Sequence, residues 1–363
     1  MERIQIHTKE RDYEVLLGQN ILPTLATELK KVLPNCRKLF FIVDAVVYDF
    51  HFERVKKAID DAFEYEYIVV PSGEKSKSFT SYETCLTTAL KAKLNRKSAI
   101  IAFGGGMVGD LGGFVAATFM RGVPFIQMPT TLLAHDSSVG GKVAINHPFG
   151  KNMIGCFYQP SLVFYELDFL LSMPEKEWRS GYAELIKHAF LSDSNFVKKL
   201  YTEIKSIDDL IQNPNLVQYI QQGIEVKKAV VQEDEKESGL RACLNLGHTL
   251  AHALETIEDY IGISHGEAVG VGLLFAIEQS VKYGMKNVNP KDLYSHLRAL
   301  GYRYHREKMN GQLLSEIMLG DKKNETDQIR LVLLSEIGKP YFKEFSIQEI
   351  IEMVDAFIQK YEF

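Results

Sequence analysis

There is no excess of positive charge: 42 lysines and arginines stand against 47 acids, giving a formal charge of -5. The cations are interspersed with acids and form no basic stripe, which argues against nucleic acid and for a small-molecule partner. Cysteine is scarce. Cys36, Cys85, Cys156 and Cys243 lie far apart without a C-x-x-C spacing, which argues against a disulfide framework or a cysteine zinc site and suits reduced thiols in a cytoplasmic protein. No apolar run approaches membrane-spanning length, and residues 1–9 alternate charged with apolar side chains, unlike a signal sequence. Internal repeats and low-complexity segments are absent, and so is H-E-x-x-H, which argues against a metalloprotease.

What is present divides in two. At 363 residues the chain is long enough for two domains, each with its own core. Strand and helix patterns alternate up to about residue 174, predicting an α/β domain with a Rossmann-like parallel sheet. From 175 to 363 helical periodicity dominates, with no convincing strand until QIRLVLL near residue 330. The boundary is placed in MPEKEW.

In the first part, IQIHT, YEVLLG, KLFFIVD and YIVV read as strands. KLFFIVD ends in Asp44, placed to bind ribose hydroxyls or to cap the next turn. The loop PSGEKSKS adds backbone amides, Lys75 and Lys77. Residues 99–120, AIIAFGGGMVGDLGGFVAATFM, are more informative: a strand meets Gly104, Gly106 and Gly109 at G-x-G-x-x-G spacing. Such glycines let backbone approach a pyrophosphate at a helix N-terminus, so the context fits a dinucleotide site. A glycine-packed helix on a sheet is the bland alternative. After the strand PFIQMPTTLLA, HDSSVGGKVAINHPFGKNMIG has little periodicity but much chemistry, with Asp136, Lys142, Lys151 and Asn152 following Thr130 and Thr131. A long irregular loop of this kind inside a compact domain is usually functional, a polar surface loop being the alternative.

The second part carries Glu184, Lys187 and His188 three and four apart on one helical face, where an exposed i,i+3 ion pair is the plain reading. EDEKE reads as a solvated charge run. It leads into RACLNLGHTLAHALETIEDYIGISHGE, residues 241–267, in which His248 and His252 share a helix face and can address one metal or anion. Glu184, His248 and His265, the last entering from a Gly-rich turn, could give three ligands to a catalytic zinc; spacing alone leaves His252 open as a ligand. Metal beside dinucleotide suits oxidation of an alcohol.

GGGMVGDLGGFVA, RGVPFIQMPTTLLAHDSSVGGK, HPFGKNMIG, SGYAELIKH, EDEKESGLRACLNLGHTLAHALE and HGEAV resemble the motifs of the 3-dehydroquinate synthases, in order over about residues 70–270. LLAHDSS is one residue shorter than the family's LLA-x-V-D-x-S, with Asp136 still matched. The resemblance implies conversion of 3-deoxy-D-arabino-heptulosonate 7-phosphate to 3-dehydroquinate and phosphate, in the shikimate pathway, by transient oxidation with bound NAD, elimination, re-reduction and aldol closure. It implies a divalent metal, zinc with cobalt as a second option, on Glu184, His248 and His265. NAD contacts fall on Asp44, Glu74, Lys77, Gly105, Gly106, Met107, Val108, Gly109, Asp110, Thr130, Thr131, Lys142, Lys151 and the turn Phe169, Leu170, Leu171 and Ser172. Substrate contacts fall on Asp136, Lys142, Lys151, Asn152, Lys187, Lys227, Arg241, Asn245, His252 and Lys322, with Lys323 as its neighbour, and on Arg121, which the family can donate across a homodimer interface. Asp136, Lys142, Lys187, Glu237 and His252 are implied in catalysis, Glu237 and His252 by handling protons or orienting groups. Other sugar-phosphate cyclases, a metal-dependent NAD alcohol dehydrogenase, and a noncatalytic NAD or metal sensor are the competing readings.

Overall fold

The computed structural model describes residues 1–59, 61–237, 239–258, 262–304, 309–320 and 328–362. The chain forms two compact units: Met1–Met173 with Ile220–Lys236, and Pro174–Tyr219 with Glu237–Phe363. This differs from the expected 174/175 division in one segment, since residues 220–236 return to the first unit. Their docking also corrects the reading of EDEKE as a solvated run. Asp234 and Glu235 are buried, and the Glu235 carboxylate accepts from Gln159 Nε2 (2.8 Å) and the Lys9 amide (2.9 Å).

In the first unit β1 (Glu2–Ile6), β2 (Tyr13–Gly18), β3 (Lys38–Asp44), β4 (Glu64–Val70), β5 (Ala99–Gly104) and β6 (Phe125–Pro129) precede a hairpin, β7 (Lys142–His147) and β8 (Gly150–Phe157), and a last strand, β9 (Leu162–Glu166). Seven of them make one sheet in the order β1-β2-β9-β6-β5-β3-β4, parallel except for the β1 edge. Both faces are covered, as the near-continuous apolar strands require. Leu39, Phe41 and Val43 of β3 pack with the Leu25–Val32 and Glu53–Ile59 helices, while Phe40 and Ile42 pack with the Phe79–Lys91 and Gly106–Thr118 helices. Each such side chain contributes about 1.5–3 kcal/mol by leaving water.

The chain runs outward from β3 to β4 and then returns to place β5 on the other side of β3, so the strand order reverses between β3 and β5. Ligands in open α/β sheets bind in the crevice at the carboxyl ends of the strands at such a reversal. Asp44 and Gly104 end these two strands, and a Cβ on Gly104 would stand 3.1 Å from the Asp44 Cβ.

The segment expected to be irregular after Thr131 contains a short helix, Ala134–Ser137, and the β7/β8 hairpin, with His147 paired to Gly150 around Pro148 and Phe149. On β7 three consecutive residues, Val143, Ala144 and Ile145, are buried, so it shows no period-2 alternation. Most of β8 is half-buried or exposed, so its strand character left little hydrophobic pattern to read.

In the second unit the helices Glu175–Ser192, Ser194–Glu203, His248–Ile257, His265–Lys282, Pro290–Ala299, Gly311–Leu319 and Ile347–Lys360 accompany a hairpin, β10 (Gln328–Glu336) and β11 (Lys339–Ser346). β11, KPYFKEFS, was not anticipated. The His265–Lys282 helix is the centre of this core, buried on nearly every side. Its glycines allow backbone to meet backbone: a Cβ on Gly266 would stand 2.1 Å from the Ser180 carbonyl oxygen, and one on Gly272 2.0 Å from that of Gly247. Among the described residues no helix is long and apolar enough to cross a membrane.

Candidate active site

Three elements of the second unit bring Glu184, His248 and His265 together. Glu184 lies mid-way along the Glu175–Ser192 helix on a fully buried run. His248 opens its helix directly after Gly247, whose φ of +82° turns the chain in from the Leu240–Asn245 turn. His265 also opens a helix, rather than entering from a turn as expected. Ser264 and Glu267 form a capping box there, the Ser264 hydroxyl accepting from the Glu267 amide while the Glu267 carboxylate accepts from the Ser264 amide.

The donor atoms of the three residues lie within 4.8 Å of one another. Glu184 Oε1 stands 3.2 Å from both His248 Nε2 and His265 Nε2. Two imidazole nitrogens and one carboxylate oxygen are a donor set that fits zinc or cobalt with a further position left for substrate or water. The other faces of the imidazoles are held as well. His248 Nδ1 lies 3.3 Å from the Leu246 carbonyl oxygen, and His265 Nδ1 lies 3.4 Å from the Glu255 carboxylate.

Charge at this cluster is strongly perturbed. Burial raises the Glu184 pKa, but Lys187 and then His248 and His265 outweigh it and hold the carboxyl well below its usual range. Burial pushes His248 down to about 4, leaving a neutral imidazole suited to ligation. Burial also opposes charge on His265, yet hydrogen bonds to Glu184 and Glu255 push it up to about 10. A proton on His265 thus stands between the Glu184 and Glu255 carboxylates.

Lys187 Nζ lies 2.5 Å from Glu184 Oε2, with both side chains 1% exposed. The plain reading of this pair as an exposed one is corrected: on this helix the face at positions 184 and 187 is the interior one. His252, one turn beyond His248, places its ring 5.5 Å from the His248 ring at 85° and is not in the three-residue donor cluster. Arg241 is buried in the Leu240–Asn245 turn, and Asn245 Nδ2 donates to Glu237 Oε1 (3.3 Å) and the Ala242 carbonyl (3.1 Å). Glu255 was missed by sequence reasoning. It follows His248 by seven residues and His252 by three on the same helix, a spacing that puts all three on one face and could have found it. Glu255→Ala is expected to weaken metal binding about 10- to 100-fold by freeing the His265 ring; metal titration of the folded variant checks this, and unchanged affinity would refute it.

In the first unit the predicted positions gather at the ends of β3, β5 and β6. Asp44 caps the helix that follows it, Oδ1 accepting from Val46 N (2.9 Å), Val47 N (3.4 Å) and Ser72 Oγ (2.5 Å). Lys77 differs from the loop cation expected. It is buried, with Nζ 2.6 Å from Asp110 and 3.5 Å from Glu74; burial opposes its charge, but the two carboxylates outweigh it and raise its pKa. Gly105 is the N-cap of the Gly106–Thr118 helix. Val108 points into the apolar cluster and Met107 packs on it, so that these two offer a ligand chiefly their backbone. Thr130 N donates to the Gly104 carbonyl, and the Thr131 carbonyl accepts from Tyr165. Phe169 and Leu170 are buried in the 3-10 turn Leu167–Ser172, Leu171 is exposed, and Ser172 Oγ lies 2.7 Å from His51 Nε2.

Lys227 is nearly buried and donates to the Asp136 carbonyl (2.6 Å), with its carboxylate at 2.9 Å. Lys142, Lys151 and Asn152 lie on the β7/β8 hairpin, Asn152 at φ +55° with its amide donating to Asn146. Met120 and Arg121 are both left-handed, at φ +49° and +67°, a strained pair that leaves Arg121 exposed. Lys322 and Lys323 lie outside the described residues.

Residues 67–180 match the family model for the 3-dehydroquinate synthase N-terminal domain, and residues 181–324 match that for the C-terminal domain. The chain belongs to the 3-dehydroquinate synthase family. It is 44% identical over 98% of its length, and 96% of the relative's, to a 3-dehydroquinate synthase of Bacillus cytotoxicus. A solved 2-deoxy-scyllo-inosose synthase complexed with carbaglucose-6-phosphate, NAD+ and Co2+ is similar at a TM-score of 0.88 and 25% identity, covering 98% of this chain and 99% of that one. A 2-epi-5-epi-valiolone synthase from Streptomyces hygroscopicus with NAD+ and Zn2+ bound shares the fold at 20% identity, with a TM-score of 0.87 and 98% of each chain covered. As a member of the 3-dehydroquinate synthase family the chain is an enzyme of the phosphate-eliminating cyclase type.

Proposed function

We propose that this chain converts 3-deoxy-D-arabino-heptulosonate 7-phosphate to 3-dehydroquinate and phosphate, as a cytoplasmic homodimer with bound NAD and a zinc ion. The observation that carries the reading is the convergence of Glu184, His248 and His265 within 4.8 Å in a chain of this family. When bound, the metal would supply a Lewis acid to the substrate hydroxyl, and NAD would supply a hydride acceptor that also returns the hydride.

The chain's own residues bind and orient. Glu184, His248 and His265 hold the metal, and Glu255 keeps the His265 ring turned to it. Lys187 balances the Glu184 carboxylate from 2.5 Å away and presents charge beside the metal position. Arg241, Asn245 and His252 extend that face for the substrate's oxygens. In the first unit the glycine turn at Gly105–Gly106 offers helix N–H groups to the NAD pyrophosphate, and Asp44 stands at the end of β3 for the ribose. Its Oδ1 is the capping atom, so the ribose falls to Oδ2. Asp136, Lys142, Lys151, Asn152 and Lys227 bind substrate, Lys227 doing so while paired with Asp136, and Arg121 serves the partner subunit's site. A substrate with both a carboxylate and a phosphate suits this concentration of cations in an acidic protein.

The test offers the purified protein each of three sugar phosphates and measures phosphate release and nicotinamide absorbance. Release from 3-deoxy-D-arabino-heptulosonate 7-phosphate without net NADH is the expected result. Release only from glucose 6-phosphate or sedoheptulose 7-phosphate would move the chain to another cyclase, and accumulating NADH would make it a dehydrogenase.

A further inference from the structure

Gln127 occupies a position where a central parallel strand ordinarily carries an apolar residue. All five residues of β6 are buried. Phe125, two residues earlier on the same face, joins the apolar cluster beneath the Gly106–Thr118 helix, and Gln127 does not. The Gln127 amide nitrogen lies 3.2 Å from the place a Cβ on Gly109 would take, so the first turn of the helix rests over a polar group.

Gln127 is 7% exposed, and among the described residues nothing pairs with its Oε1. Thr131 Oγ1 is buried in the same condition, 3.5 Å from the place of a Cβ on Gly105. Gln127 lines a small cavity under the glycine turn together with Gly104, Gly105, Gly106, Gly109 and Ser137. Buried amides and hydroxyls are paired in folded proteins with protein, water or ligand, and the helix end above this cavity adds unpaired N–H groups and a positive dipole. A residue packed only for shape would have no use for the amide.

We propose that Gln127 is a further contact of the dinucleotide site, its amide holding one water under the glycine turn and that water donating to a phosphate oxygen of NAD. The inference rests on the reading that this turn binds NAD. A glutamine amide presents both a donor and an acceptor, which is what fixing the orientation of a bridging water requires.

Gln127→Leu keeps most of the volume and removes both polar atoms. Titration of the metal-loaded protein with NAD is expected to give a Kd about tenfold weaker than wild type. Metal content should be unchanged, and the thermal midpoint without NAD should stay near that of wild type, because Oε1 makes no hydrogen bond to another described residue that the substitution would break. Gln127→Met carries the same test with a straighter side chain. Wild-type NAD affinity in either folded variant overturns the inference, as does unfolding of both. If wild type itself takes up no NAD, the cofactor reading fails, and this inference with it.

Discussion

Replacing His265 with alanine is expected to lower turnover by roughly a thousandfold and to yield protein without its divalent metal, because the loss of a several-kcal/mol Lewis-acid contribution falls on the chemical step. Removing the imidazole leaves Glu184 Oε1 and His248 Nε2, short of the three protein ligands a catalytic site uses. The fold should survive. The helix start at this point is held by the Ser264 and Glu267 capping box, and alanine is a good helix former. Glu184→Ala is a less clean test. It deprives the buried Lys187 ammonium of the carboxylate 2.5 Å away, and breaking a buried pair costs about 3–5 kcal/mol. Glu184→Gln also removes the charge but keeps the shape and an oxygen that can accept from Lys187, and is the better companion. Metal analysis, phosphate release and circular dichroism on the same preparation decide the matter, and full metal occupancy in folded His265→Ala protein would falsify the ligand assignment.

The second large effect is expected at a residue without a side chain, Gly272. In the interior of a helix, glycine to alanine ordinarily stabilises by about 1 kcal/mol. Here the new methyl would stand 2.0 Å from the Gly247 carbonyl oxygen, and relieving that overlap means pushing backbone away from backbone. Overpacking of this kind costs about 3 kcal/mol, so the net change is destabilising. Gly247 immediately precedes His248, so displacing it also moves a proposed metal ligand. Gly272→Ala should therefore lower both the urea midpoint and the metal affinity. Gly320→Ala is the control: that glycine has helical φ and ψ, and among the described residues its added carbon would come no nearer than 3.5 Å to the atoms it would meet. Equal midpoints for Gly272→Ala and wild type would sink the argument from close approach.

The two regions differ in how far local pattern exposes their structure. β3 spans the same seven residues as KLFFIVD, because an apolar run with an acid at its end leaves few alternatives. The strand end and helix start at the glycine turn were legible for a related reason: β5 ends at Gly104 and the next helix begins at Gly106, where the apolar run meets the glycines. In the histidine stretch, periodicity put His248 and His252 on one face but could not separate them, since what distinguishes them is Glu184, more than sixty residues earlier in the chain and buried on another helix. Burial is also why Glu184 and Lys187 were read as a surface pair. Their i,i+3 spacing is the same in water and in a core, and only tertiary packing sets the energy. Lys77 was misjudged likewise, as its partner Asp110 sits on the helix after the next strand. β8 and β11 escaped because half-exposed strands of mixed polarity carry little alternation.

The return of residues 220–236 to the first unit has a consequence for how the protein is made. A ribosome releases residues 1–173 before the segment that completes them, so during synthesis Asp136 must wait for Lys227, and Gln159 and the Lys9 amide must wait for Glu235. The N-terminal unit thus emerges before these partners are made, and its folding is expected to be completed only after part of the second unit has been translated. The seam between the two family models, at residues 180 and 181, marks a division of sequence and not a place where the nascent chain can pause as a finished domain.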